Sequence, residues 1–99
     1  MTDNQRAACR KLCVRSFLAW GFTIDESGRI GRGENDEHLR LLSHIVLALD
    51  GMYDGDAVVR SWMKTERKEL GGATPMAELL SGAAGARRVH DLVRLEANR

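Results

Sequence analysis

Histidine, cysteine and clustered aspartate are the side chains here whose types suit metal ligation or proton transfer, and their spacing decides whether they do either. His38 and His44 stand six residues apart in a helix-patterned stretch. That spacing puts them on different helical faces, so they cannot share an ion, and His90 lies far along the chain. The three read as surface or edge histidines. Cys9 and Cys13 are four apart, on one helical face, with no second cysteine or histidine pair to complete a zinc set. They read as small buried residues, kept as thiols in a reducing compartment. Asp50, Asp54 and Asp56 lack the alternating oxygen ligands and the glutamate at position twelve of a calcium loop, and fit helix caps better. No GxSxG, P-loop or GxGxxG sequence occurs, and Gly31-Arg32-Gly33, with no strand before it, reads as a turn. The expectation is a protein without catalytic residues, metal ligands or a cofactor.

Charge offers binding rather than catalysis. Fifteen Lys and Arg against fourteen Asp and Glu give a formal net charge of +1, neither a strongly basic nucleic-acid binder nor an acidic mimic. Residues 1–33 hold six basic against three acidic groups, and the remainder nine against eleven. Arg6 with Arg10 and Lys11 with Arg15 lie at helical neighbour spacing, which makes these four the candidates for contact with DNA phosphates; the alternative is a solvated face.

The elements that must carry these groups are helical throughout. With 99 residues, 43% of them apolar, the chain can bury one core. Asp3–Trp20 places Cys9, Leu12, Cys13, Phe17 and Trp20 at three- and four-residue steps. Thr23-Ile24-Asp25-Glu26 has the form of a capping box opening a brief helix over 25–30. Asn35 or Asp36 caps a third helix reaching Asp50, where Gly51 stops it. Its stripe of Leu39, Leu42, Ile45, Val46 and Leu49, widened by Leu41 and Leu47, marks a central helix touched from two sides. Asp54-Gly55-Asp56 caps a fourth with Val58, Val59, Trp62 and Met63. Thr74-Pro75 starts a fifth, short one that halts at Gly82, and a sixth spans about Ala83–Ala97. The predicted fold is all-α, a single compact bundle of about five to six helices. No apolar run approaches the roughly 20 residues that span a bilayer, and no secretory signal pattern opens the chain. A cytoplasmic protein with no membrane contact is expected.

The most informative stretch runs from Trp62 to Arg94. Trp62-Met63-x-Thr65, Glu69-Leu70-Gly71-Gly72, Thr74-Pro75-Met76-x-Glu78-Leu79-Leu80 and Gly85-Ala86-x-x-Val89-x-Asp91-Leu92 form an ordered series. It reads as helix, double-glycine turn, proline start, short helix and long helix. The series resembles the C-terminal toxin-binding domain of the MbcA/ParS/Xre antitoxin family over about residues 36–97. It departs from many relatives in having Glu66-Arg67 where they carry Pro-Asn. The resemblance implies a protein that binds and neutralises a partner toxin, commonly a RES-domain protein that consumes NAD, by covering its active site. On that basis Leu70, Gly71, Gly72, Arg87, Arg88, Arg94 and Arg99 are the candidate toxin-binding residues, arginine forks being suited to carboxylate and phosphate surfaces. For Arg87 and Arg88 a solvated face is the alternative, and for Leu70, with Trp62 and Leu79, a core role.

Relatives place an Xre-type helix-turn-helix before this domain. Residues 1–35, with Trp20-Gly21-Phe22-Thr23-x-x-Glu26, resemble its opening, packed on a toxin-binding domain of residues 36–99. A recognition helix for the major groove does not follow. A DNA-binding regulator with a reduced helix-turn-helix, acting on operator DNA, is the alternative function. A homodimer through Leu41, Leu47 or Phe22 is a further expectation from family habit.

Overall fold

A computed structural model describes all residues, Met1–Arg99. Six α-helices and one 3-10 turn make up the fold: α1 (Asp3–Ala19), α2 (Ile24–Arg32), α3 (Asp36–Met52), α4 (Asp56–Met63), the turn Lys68–Leu70, α5 (Pro75–Leu80) and α6 (Ala83–Ala97). There is no strand, as the sequence predicts. No helix is long and apolar enough to cross a membrane.

Local sequence explains most of the boundaries. The Thr23–Glu26 capping box forms as expected, Thr23 accepting from the Glu26 amide and Glu26 from the Thr23 amide. Thr2 and Gln5 make a second box at the start of α1 that the sequence reading did not anticipate. Asn35 caps α3 through the His38 amide, and Thr74 caps α5 through the Ala77 amide with Pro75 in the first turn.

Three local expectations need correction. Gly51 does not stop α3, which continues to Met52 and ends where Tyr53 turns extended; glycine ends a helix through a positive φ, which Gly51 does not adopt. Gly31 is no turn residue. It lies buried inside α2, facing Val14 of α1, and only Gly33 leaves the helix. The Asp54-Gly55-Asp56 start makes no side-chain cap. Gly55 occupies the cap position, and Asp56 instead accepts from Trp20 Nε1 at 3.0 Å.

One core of nineteen buried apolar side chains runs from Cys13 and Phe17 of α1 through α3 to Val89, Leu92 and Val93 of α6. Burial pushes the Cys13 thiol up to about 11, so it stays protonated at neutral pH, while Cys9 is half-buried. Helix α3 lies between α1 and α6, the central position its wide stripe predicts. Pairings along both its sides step in the same order: Arg6 with Asp36 and Cys13 with Ser43, then Glu37 with Arg87 and Tyr53 with Glu96. The three long helices therefore run in the same direction. Leu47 falls outside the core stripe, 58% exposed, and Leu41 is half-buried. Phe22, expected at an exposed patch, is instead buried against Phe17 with ring centres 5.1 Å apart. Gly21, at φ 97°, turns the chain back so that the ring faces inward.

Candidate functional site

The stretch from α4 to α6 is organised around a closed loop. The Arg67 amide donates to the Ala73 carbonyl at 3.0 Å, and the Gly72 amide to the Arg67 carbonyl at 2.8 Å. Between these bonds Gly71 and Gly72 hold φ values of 66° and 89°, which a side chain would strain. Both glycines are exposed, with nothing near the place a Cβ would fill, so their requirement is conformational rather than steric. Leu70 points the other way. It is 7% exposed and belongs to the core, so it anchors the loop and leaves the glycine backbone outside.

Glu96 of α6 fastens this loop to the bundle, a role sequence reading missed. Its Oε2 accepts from Tyr53 Oη and from Trp62 Nε1, each at 2.8 Å, and its Oε1 from Arg67 Nη1 at 3.1 Å. The Arg67 guanidinium also lies 5.2 Å from the centre of the Trp62 ring, over its face. One carboxylate, 11% exposed, thus joins the end of α3, α4, the loop and α6. Burial and the neighbouring Glu96 raise the Tyr53 hydroxyl pKa, which keeps it a donor. Spacing could not reveal this set, because Glu96 stands 29 to 43 residues from its partners. Arg67, in the Glu66-Arg67 step before the loop, supplies the guanidinium limb of this set.

Helices α5 and α6 meet at a corner that only glycine permits. A Cβ on Gly85 would stand 1.8 Å from the Glu78 carbonyl oxygen, so the Gly85-Ala86 pair lets the two backbones touch. The N-terminus of α6 is capped from elsewhere in the chain: the Glu34 carboxylate accepts from the Ala83 amide.

The candidate arginines, Arg87, Arg88 and Arg94 of α6 and Arg99 just beyond it, have different partners. Arg87 pairs with Glu37 on the α3 side, whereas Arg88 pairs with Glu78 of α5 and Arg99 with Glu69 of the loop. The Glu69 carboxyl is held below its usual range by its own backbone amide and by Arg99. Arg94 is exposed and has no carboxylate partner. It shares a shallow concavity with Asp91, Leu95 and Asn98; an adjoining one is lined by Glu69, Arg88, Asp91, Leu92 and Leu95. Leu95 sits at the junction with 46% of its surface exposed. The structure therefore places Arg88 and Arg99 on the loop side of Leu95, and Arg94 on its other side, two turns along α6 from Arg87.

The basic residues of α1 are less uniform than their spacing suggests. Arg6 donates to Asp36 at 2.8 and 3.2 Å and to Asp3 at 2.8 Å, and the guanidinium holds the Asp36 carboxyl down at about 2. Arg10 reaches the Arg32 carbonyl at 3.4 Å. Lys11 and Arg15 are exposed without a carboxylate partner and flank Val14 and Leu18.

The histidines are not all at the surface. His38 is 4% exposed, and its Nδ1 accepts from the Glu34 amide at 2.9 Å, because α3 turns it under the loop between α2 and α3. His44 is exposed and faces half-buried His90 across the α3–α6 seam.

Comparison with curated proteins and with solved structures gave no match. Comparison with protein families did: the model of the antitoxin Xre/MbcA/ParS C-terminal toxin-binding domain matches residues 48–95. The match begins in the last turn of α3 and takes in α4, the glycine loop, α5 and α6 as far as Leu95. Residues 48–95, built on the Leu70-Gly71-Gly72 loop and the Gly85 corner, thus match the toxin-binding domain of the Xre/MbcA/ParS antitoxins.

Proposed function

We propose that this protein neutralises a RES-domain toxin that consumes NAD, by laying the α6 face around Leu95 over the mouth of its active site. The toxin-binding domain match over residues 48–95 is the observation that carries the reading. The geometry supports it by putting an exposed apolar residue between Arg94 and a loop flank that carries Arg88 and Arg99 and is stiffened by Glu96. A rigid, preorganised face loses little freedom on binding.

The arginines do not contribute equally. Arg88 and Arg99 must leave Glu78 and Glu69 to meet a partner, whereas Arg94 is already free. A cleft that holds the phosphates of NAD presents the kind of surface from which such forks, or the carboxylates beside them, are read. Gly71 and Gly72 contribute through exposed backbone, with Leu70 holding them in place.

The test is enzymatic. The product of a toxin gene beside this one is assayed for NAD consumption with increasing amounts of the chain. The expected result is loss of activity at a fixed stoichiometry together with co-purification; full activity at saturating chain contradicts the proposal.

A further inference from the structure

His44 of α3 and His90 of α6 face each other with ring centres 6.0 Å apart and ring planes at 36°. Neither ring makes a hydrogen bond within the chain, whereas the third histidine, His38, is committed through Nδ1 to the Glu34 amide. Imidazole is the commonest protein ligand for transition metals, and it binds them as the neutral base. A metal–nitrogen bond of about 2.0–2.1 Å sets a ring centre about 3.2 Å from the ion, so two rings on one ion lie roughly 5 to 6.4 Å apart. The observed separation falls within that range without movement of either helix.

The scaffold keeps the two rings in register. Glu37 pairs with Arg87 one to two turns before them, and Tyr53 bonds Glu96 beyond them. Exposed His44 gives an ion access from solvent, and half-buried His90 fixes the second position.

We propose that His44 and His90 form a two-histidine site for a late first-row divalent cation of the Zn2+, Ni2+ or Cu2+ class, which clamps α3 to α6. No third histidine, cysteine or carboxylate joins them, so water fills the remaining positions. Hard cations such as Mg2+ and Ca2+ prefer oxygen ligands and are not taken. The site stands apart from the toxin reading. It clamps the helix that carries Arg94 and Leu95, and it works in the chain alone.

The experiment titrates the full chain with ZnCl2 and with NiCl2 at pH 7.5, reading binding by calorimetry and stability by thermal melting. One equivalent should bind and raise Tm, and MgCl2 should do neither. His44→Ala and His90→Gln should each weaken binding at least tenfold, and the double variant no more than the tighter loss. His38→Gln and Cys9→Ser should leave it unchanged. Because His44 is exposed, His44→Ala keeps the fold, which circular dichroism without metal verifies. The proposal is overturned by absent binding, by binding unaffected in His44→Ala, or by a rise in sedimenting mass with metal, which would put the ion between chains.

Discussion

Glu96 gathers hydrogen bonds from Tyr53, Trp62 and Arg67, three residues from three separate parts of the chain. Removing the carboxylate leaves a guanidinium and two aromatic donors without their acceptor in a nearly closed site. Glu96→Ala should therefore destabilise the protein by about 2–3 kcal/mol, more than any of the surface arginines of α6, read by urea unfolding. His38 gives a pH dependence. Its folded pKa lies below the ordinary 6.5 because burial disfavours the charged ring, although Glu34 opposes this. Above 6.5 both folded and unfolded states hold neutral histidine. As pH falls below 6.5, the unfolded chain takes up a proton that the folded one resists. Stability should drop from there down to the folded pKa by up to about 1.4 kcal/mol per pH unit. His90 acts in the same sense. Unfolding midpoints at pH 7.5 and 5.0 measure the drop, and His38→Gln should make it shallower. The sequence made the arginines of α6 visible because their type alone suggests a surface. It hid Glu96 and the His44–His90 pair, since both depend on which helices lie side by side.

At the scale of elements, the α5–α6 corner depends on one missing methyl group. Gly85→Ala would bring a carbon into the Glu78 carbonyl, a contact with backbone that no rotamer change can relieve. Overpacking of this kind costs about 1–3 kcal/mol or more, so the variant should melt well below the wild type. It should also bind toxin poorly, because relief requires α5 and α6 to part. By contrast, Ala84→Ser on the exposed side of the same turn should change little. A capping box made the start of α2 legible in sequence, and a threonine cap followed by proline that of α5, since cap and partner amide lie three residues apart. Glycines misled where context outweighed local preference. A helical glycine costs only about 1 kcal/mol relative to alanine, so packing carries α3 through Gly51, and at Gly31 the close approach of Val14 makes glycine an asset. Asp56 was misread as a cap because its real partner, Trp20, stands 36 residues away.

Across the whole molecule, α3 holds α1 on one side and α6 on the other, and the core is continuous between them. The wide apolar stripe of α3 announced that central place. The parallel run of the three long helices was not legible, because it is set by Arg6–Asp36, Glu37–Arg87 and Tyr53–Glu96, long-range pairs without a local signature. The fold thus presents two separate surfaces: the face of α6 around Leu95, and the basic strip of α1 formed by Lys11 and Arg15. Toxin neutralisation, as proposed here, uses the first and not the second. The direct measurement is the Kd of the neighbouring toxin for two charge-reversed chains, Arg94→Glu with Leu95→Asp on α6, and Lys11→Glu with Arg15→Glu on α1. Leu95 and Arg94 are exposed and form no ion pair, so both chains should fold as the wild type does. The α6 variant should lose at least a hundredfold in affinity and the α1 variant less than threefold; equal losses, or a loss confined to α1, would contradict the account.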